Sequence, residues 1–572
     1  MTVVPNETFA PPGPGVWLLD TTHWTRPVSR FQAELFPEPC RRGFGEGLRR
    51  YGSLLEHLEF AFVNGFPYYQ MRPVGAPAEA VGHPSREIWE EIARSHPQVR
   101  ERLLASETLF ERKPWRNDLE RWDREVKPAV TQANLELLGV DPDSLELADL
   151  AVYLDRCREN LIRGLYVHHL FNMAALMPIG DFAVQAEEWT GRPAAELLGL
   201  LRGANPDPLG AAEDLRRLAD ALRRDPVAAR LVSPIDTPGG RDGAGEALDA
   251  LCAHPGEMGP LAAAVVARLG HRPVNGEDVT EPCVVELPEL IVAAMHSSLE
   301  SPGNGAGGDV EGQRRLAEVR DAVPGPDRDN FDELLGEARL VYRLRDERGA
   351  YAGLWGIGIA RRAILAAGRK LAGRGRLLEP AHLAEAGYGE LRALLESGDG
   401  PSAEELAGRG RYAAATGFRD APPVLGGEPG APLPPEWLPP AAARLERALG
   451  AAAQAMFMTP QPRTEARTVR GIGVSPGVYV GTARLVGSTD EFARIQPGDV
   501  LVTNATTTAF NIVLPLLGAI VTDRGGLLSH AAIVARECGL PAVVGTTDAT
   551  RVIPDGARVR VDGTSGEAEV LR

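Results

Sequence analysis

Lysine is nearly missing from this chain: Lys113, Lys127 and Lys370 are the only lysines among 61 basic residues. None of them follows a glycine, so there is no Gly-Lys dipeptide and no Walker A phosphate loop. GC-rich codon usage accounts for the scarcity, which still leaves few lysines for a nucleotide site. Cysteine is also sparse. The five (Cys40, Cys157, Cys252, Cys283 and Cys538) are scattered, odd in number and never spaced C-x-x-C. This argues against a disulfide framework or a thiolate zinc site, and points to a reduced, cytoplasmic protein. No run of about 18 apolar residues is present to span a membrane. The opening stretch, MTVVPNETFAPPGPG, has neither the basic nor the apolar region of a signal peptide. A cationic surplus is lacking as well. The net charge of -17 repels nucleic acid and anionic lipid, so neither nucleic acid nor membrane is an expected partner.

What is present is the composition of an ordinary globular protein, 44% hydrophobic and 24% charged. At 572 residues it exceeds one core and predicts several domains. Residues 1–85 are mixed and aromatic, and predict loops, short helices and a strand or two packing on a helical domain. Residues 86–458 carry the three-to-four-residue apolar repeat of helices, as in LADLAVYLDRCRENLIRGLYVHHLFNMAALM. Two glycine-rich stretches, 237–246 and 301–312, are expected as surface loops, the second a mobile one. A Pro-rich segment at 421–440 precedes a short alanine-rich helix. Periodicity then stops at TPQPRTEART, and residues 459–468 read as a domain linker. From 469 to 572 the chain becomes short valine-rich runs such as GVYVGTARLV, DVLVTN and RVRVDG, separated by Pro-Gly and Pro-Asp-Gly turns. With a helix over 530–538 and a second over 508–517, these predict a compact α/β domain. The fold class is multidomain: a large, mainly α-helical domain followed by that compact α/β domain.

One stretch of the last domain carries chemistry: TDRGGLLSHAAIVAR, residues Thr522 to Arg536. It places His530 after a glycine pair, at the start of a predicted helix. A free imidazole titrates near pH ~6.5, so at neutral pH a ring nitrogen is available as a nucleophile. That nitrogen can take a phosphoryl group as a labile phosphoramidate, splitting one transfer into two. A helix start supplies unpaired N–H groups and the positive dipole end to such an anion. Gly525 and Gly526 permit a sharp turn and a close approach of backbone to phosphate. Ser529 suits a helix cap or a bond to phosphoryl oxygens. Gly539 and Pro541 suit the helix end. Arg536 lies nearly two turns along, and both a phosphate contact and a structural role are open to it. A lone histidine is ordinarily a satisfied core or surface residue. His530 departs from that reading because glycine pair, hydroxyl, histidine, small residues and helix stop occur in order.

GGLLSHAAIVARECGLPAVVG resembles the signature of the phosphohistidine swivelling domain of PEP-utilising enzymes, a family that includes PEP synthase, pyruvate phosphate dikinase and rifampicin phosphotransferase. The resemblance extends over GIGVSPGVYVGTARLV, DVLVTNATTT and RVIPDGARVRVDGTSGEAEVL, the whole terminal domain. It implies that His530 is the phosphorylated residue and that Thr507 and Thr508 sit in a nearby loop. In the family that loop continues Pro-Asp or Pro-Glu; here Ala509-Phe510 follow, so the acid is absent. LLGLLRGANPDPLGAAEDLRRLADALRRDP and GHRPVNGEDVTEPCVVELPEL are similar to the helical substrate domain of rifampicin phosphotransferase-like proteins. The sequence contains no ATP-grasp domain and no PEP-binding barrel, so the expectation is a carrier histidine and an acceptor domain without a donor site. Phenylphosphate synthase, in which one subunit bears the histidine domain and another binds ATP, is a comparable split system. The resemblance therefore implies ATP and Mg²⁺ on an ATP-grasp-type partner in trans, and a small-molecule acceptor.

Other candidates are weaker. His168 and His169 are adjacent on a helical stretch, face different sides, and are followed at i+4 by Asn172 and Met173, so core packing or a substrate-pocket wall is preferred to a metal site. His271 and Arg272 suit an anionic or hydroxylated substrate, or equally a structural hydrogen bond at a turn. Arg361 and Arg362, after GLWGIGI, read as part of a packed helix. Trp17, Trp24, Phe66, Tyr68 and Tyr69 suit an apolar pocket or ordinary core. No paired-carboxylate, Ser-His-Asp or zinc pattern is present, and no metal ligand is expected. The sequence reading is thus a dikinase-type phosphotransferase component. Its rivals are a non-catalytic binding or regulatory relative, and a biosynthetic enzyme that phosphorylates a hydroxyl and then eliminates phosphate.

Overall fold

The computed structural model describes residues 9–21, 24, 26–205, 207, 211–233, 240–274, 276–300, 310–457, 467–487, 489–506, 510 and 513–571. The chain forms two compact units. One comprises Met1–Met177, Gly276–Glu281 and Arg348–Leu449; the other comprises Pro178–Asn275, Pro282–Glu347 and Gly450–Arg572.

In the first unit, strands β1 (Trp17–Leu19), β2 (Leu55–Val63), β3 (Phe66–Pro73) and β4 (Val424–Leu425) form an antiparallel sheet of order β2-β3-β1-β4. Residues 1–80 thus hold more regular structure than the mixed composition suggests. The hairpin between β2 and β3 turns on Asn64 (φ 52°) and Gly65 (φ 80°), the left-handed pair that a two-residue turn requires. Beside the sheet, the Pro37–Tyr51 helix lies against the Leu147–Leu170 helix. The approach is close enough that a Cβ at Gly43 would lie 2.4 Å from the Tyr166 carbonyl oxygen. Trp17, Trp24, Phe66 and Tyr68 are core residues; Trp24 meets Phe36 edge to face at 5.0 Å. Arg361 and Arg362 lie on the Trp355–Gly373 helix, as expected, and donate to the carbonyls of Val279 (2.9 Å) and Leu138 (3.2 Å).

The second unit begins with helices, among them Ala212–Arg224, Gly240–Cys252, Met258–Leu269, Pro288–Glu300 and Arg328–Tyr342. The loop expected over 237–246 is corrected by the helix that starts at Gly240: helix runs through most of the stretch, while residues 237–239 lie outside the described residues. Ala244, Ala247, Leu248 and Leu251 recur at helical spacing and are buried. Their burial outweighs the cost of about 1 kcal/mol that a glycine imposes on a helix. Residues 301–309 also lie outside the described residues; the Val310–Ala322 helix comes next.

The unit ends in an eight-stranded mixed sheet: β5 (Thr468–Arg470), β6 (Ile472–Ser475), β7 (Val478–Val486), β8 (Asp499–Thr503), β9 (Leu517–Thr522), β10 (Ala542–Val544), β11 (Arg558–Asp562) and β12 (Glu567–Val570). Its order is β5-β12-β11-β7-β8-β9-β10-β6, with β7, β8, β9 and β10 parallel. Both faces of the central strands are covered. Leu501 and Ile520 join a core shared with the unit's helices, while Val500, Val502, Ala519 and Val521 face the other core. Burial on both sides is why these strands read as continuous valine-rich runs. Of the helix expected over 508–517, residues 508, 509, 511 and 512 lie outside the described residues; among the rest, Leu514–Leu516 is a single tight turn and Leu517 already opens β9. Pro515 lacks an N–H, and the run from Leu517 to Val521 favours a strand. The linker read at 459–468 lies outside the described residues except for Arg467 and Thr468, the latter opening β5.

Candidate functional site

Adjacent parallel strands β8 and β9 end side by side, with Thr503 opposite Thr522. The loops leaving their carboxyl ends form the site, the usual position for ligands in such sheets. From β9 the chain passes through 523–529 into the His530–Cys538 helix. Backbone bonds hold that loop at both ends. Asp523 N donates to Thr503 O (3.0 Å), Arg524 N to Asn504 O (2.8 Å) and Leu528 N to Ala455 O (2.8 Å). Gly525 has φ +118°, and an added Cβ there would lie 2.7 Å from Ser529 Oγ. Gly526 packs against the Pro440–Phe457 helix; a Cβ there would meet Ala455 O at 2.3 Å. Ser529 is the helix N-cap, its Oγ accepting from Ala532 N at 3.4 Å, and Gly539 closes the helix in the left-handed region.

His530 is the first residue of the helix and is 9% exposed. Its Nδ1 lies 2.9 Å from Thr506 Oγ1, in the loop after β8. Its Nε2 is buried with no hydrogen-bond partner among the described residues. Burial pushes the imidazole down to about 3, and the Arg345 guanidinium pushes it the same way. At neutral pH the ring is uncharged and one nitrogen keeps its lone pair.

Arg536 is buried, and its guanidinium is engaged by backbone. Nε donates to Val474 O (2.9 Å) and Nη1 to Leu527 O (2.6 Å), tying the loop to β6. Thr507 and Thr508 lie outside the described residues. The structure therefore gathers His530, Ser529, Gly525 and Gly526 in one loop and helix start, with Arg536 in the last turn of the same helix. His271 and Arg272 stand in the turn after the Met258–Leu269 helix, His271 half-buried and Arg272 buried. His168 belongs to the first unit, where Arg348 Nη1 donates to its Nε2 at 2.8 Å and to its carbonyl at 3.0 Å. His169 packs edge to face on Phe36 and Phe44. Among the described residues no group of three or more His, Cys, Asp and Glu is placed to hold a metal ion. No described helix is long and apolar enough to cross a membrane.

Two residues escape sequence reasoning. Thr506 opens the run Thr506-Thr507-Thr508, a signal that names the loop without saying which hydroxyl meets the histidine. Arg345 lies in RLRDERG, a dense charge run that reads as a solvated face, yet its side chain is only 17% exposed.

Residues 495–566 match the family described as PEP-utilising enzyme, mobile domain. That span holds both Thr506 and His530. The C-terminal domain is thus similar to the mobile domain of the PEP-utilising enzymes. A probable phosphoenolpyruvate synthase of Archaeoglobus fulgidus is 47% identical over 98 residues, 17% of this chain and 13% of its own length. Rifampicin phosphotransferase of Bacillus cereus is 44% identical over 106 residues, 18% of this chain and 12% of its own. An uncharacterized protein of Mycobacterium tuberculosis is 29% identical over 368 residues, 63% of this chain and 36% of its own. That last similarity is longer than the mobile domain and so includes part of the helical region. The chain spans well under two thirds of the length of each of these relatives. Within residues 495–566, His530 offers a neutral ring nitrogen in a dry setting, acted on by the charge of Arg345.

Proposed function

We propose that this protein is a dikinase-type phosphotransferase component in which His530 carries a phosphoryl group from ATP, bound with Mg²⁺ on a separate ATP-grasp-type protein, to a small-molecule acceptor. One observation carries the reading: in a domain similar to the PEP-utilising mobile domain, the buried His530 has Nδ1 held by Thr506 and Nε2 without a partner among the described residues. With its proton on Nδ1 and Thr506 Oγ1 accepting, the ring presents the Nε2 lone pair. That pair attacks the β-phosphorus of ATP, an N–P bond forms and the bond to the α-phosphoryl oxygen breaks, releasing AMP; water cleaves the bond between the β- and γ-phosphoryl groups, so inorganic phosphate leaves and phosphohistidine remains. In the second half an acceptor oxygen attacks phosphorus, the N–P bond breaks, and the acceptor's proton leaves to solvent. Nothing in this reading requires the described residues to bind Mg²⁺ or the nucleotide.

Burial of the ring also fits a non-catalytic relative that keeps His530 for packing, and the same experiment separates the two. Wild type and His530→Ala are incubated with the candidate ATP-grasp protein and ATP labelled at the β- or γ-phosphorus, and the acid-labile label is located by peptide mapping. Label from the β position on His530, absent in His530→Ala, is the expected result. Label that persists in His530→Ala removes His530 from the mechanism, and no label in either protein favours the non-catalytic relative.

A further inference from the structure

We propose that Arg345 is the counter-ion of the phosphorylated carrier: once His530 bears a phosphoryl group, the Arg345 guanidinium pairs with its oxygens. This rests on the carrier reading above. Three observations within the second unit support it. The 203–205 segment ties the helix of His530 to that of Arg345, Gly203 N donating to Glu537 Oε2 at 2.9 Å and Asn205 Nδ2 to Asp346 Oδ2 at 3.2 Å, and the Arg345 guanidinium is the charge that acts on the His530 ring. Its Nη1 donates to Asp346 Oδ1 at 2.8 Å, while its Nε is buried with no acceptor among the described residues. His530 Nε2, where the N–P bond would form, is likewise buried and without a partner among them.

The two orphans, an N–H donor and a ring lone pair, are not bonded to each other in the bare carrier, and a phosphoryl group on Nε2 would bring the acceptor that Nε lacks. The Arg345 cation opposes protonation of the bare ring. A phosphoryl group adds two negative charges and three acceptor oxygens to the same spot. Burying such an anion without a counter-charge is prohibitive. A guanidinium offers it a planar fork of donors, and arginine is the side chain suited to that geometry. Asp346 is itself held in place, its Oδ2 accepting from Asn205 Nδ2 at 3.2 Å. Asp346 fixes the near edge of the guanidinium and leaves Nε for the ligand.

Arg345 lies on the Leu344–Arg348 helix, outside the mobile domain, whereas His530 lies on it. The pair therefore forms only when the loaded domain is seated as it is here. Arg345 would hold the phosphorylated domain more firmly than the bare one, and would neutralise the oxygens as an acceptor approaches.

The test uses the full chain and a chemical donor, potassium phosphoramidate. Nε2 attacks phosphorus, the donor's N–P bond breaks, and ammonia leaves with a proton. Wild type, Arg345→Gln and Arg345→Lys are followed by intact mass and phosphorus NMR. Arg345→Gln should form phosphohistidine about tenfold more slowly, the scale of one lost charge-assisted contact, and Arg345→Lys should recover part of the rate. Inorganic phosphate at constant ionic strength should slow the wild-type reaction competitively, a readout that needs no variant to fold. Equal rates in wild type and Arg345→Gln, or no competition by phosphate, overturn the role of Arg345 while the carrier stands. Absence of phosphohistidine at His530 in wild type overturns both.

Discussion

Burial keeps the His530 ring neutral in the folded chain down to about pH 3. In an unfolded chain the same ring titrates near ~6.5. Between those values the unfolded state binds a proton that the folded state refuses, so this group costs stability as pH falls. At pH ~7.5 the cost is close to zero; at pH ~5 it is about 2 kcal/mol. The figure is robust, since any folded value below about 4 gives nearly the same result at pH ~5. His530→Gln removes the term. The loss of stability between pH ~7.5 and ~5 should therefore be about 2 kcal/mol smaller in the variant. Glu537, which burial raises to about 7, titrates in the same window, but it is common to both proteins and drops out of the difference. Urea unfolding of the second unit, followed by hydrogen exchange of the His530–Cys538 helix, gives the energies. Histidine-ring NMR gives the titration directly, with the His530 signal identified by its loss in His530→Gln. The ring should stay neutral throughout. A midpoint near ~6.5, or the same pH dependence in both proteins, would refute the claim that this ring is held dry.

Three further substitutions separate the parts of the site. Thr506→Val removes the bond that holds Nδ1, worth about 1 kcal/mol, and should slow phosphohistidine formation from phosphoramidate several-fold with little change in melting temperature; an unchanged rate would leave Thr506 no positioning role. Gly526→Ala drives a methyl into the Ala455 carbonyl and should cost about 1–3 kcal/mol, read out as faster exchange at the Leu528 amide, which bonds that carbonyl. Arg536→Met breaks charge-assisted bonds to Val474 and Leu527 and should cost at least about 3 kcal/mol by urea unfolding. A normal stability with impaired phosphorylation would instead assign Arg536 to the phosphate.

Local signals in the sequence translated directly. The cap at Ser529, the left-handed Gly539 and the positive φ of Gly525 each follow from a residue and its immediate neighbours. What stayed hidden depends on pairing between distant segments. Thr506 reaches His530 because β8 and β9 are parallel neighbours in one register, a property of the sheet and not of either loop. Gly526 invites a phosphate-loop interpretation, yet the space it opens is filled by the backbone at Ala455, which no local pattern predicts. Arg536 shows the same limit: helical spacing leaves its partner open, and packing on β6 decides it. In the loop expected over 237–246 the error ran the other way from Gly240 onward. Glycine content suggested a loop, but four buried apolar residues at helical spacing outweighed it.

The burial that preserves the nucleophile also constrains the cycle. A ring 9% exposed has its lone pair protected from protons, and the same closure denies a protein-bound nucleotide the in-line approach that phosphoryl transfer needs. Under the proposed function, loading therefore happens with the mobile domain displaced from this seat. Displacement exposes the ring, whose titration point then returns toward ~6.5, so acid opposes loading by protonating the displaced carrier. Once loaded, the domain returns with a dianion that the dry seat tolerates only if a cation awaits it. Arg345, held by Asp346 with Nε unspent among the described residues, is placed to be that cation. On this logic the seat prefers the loaded carrier to the empty one, and loss of the phosphoryl group to an acceptor is what loosens it for the next round.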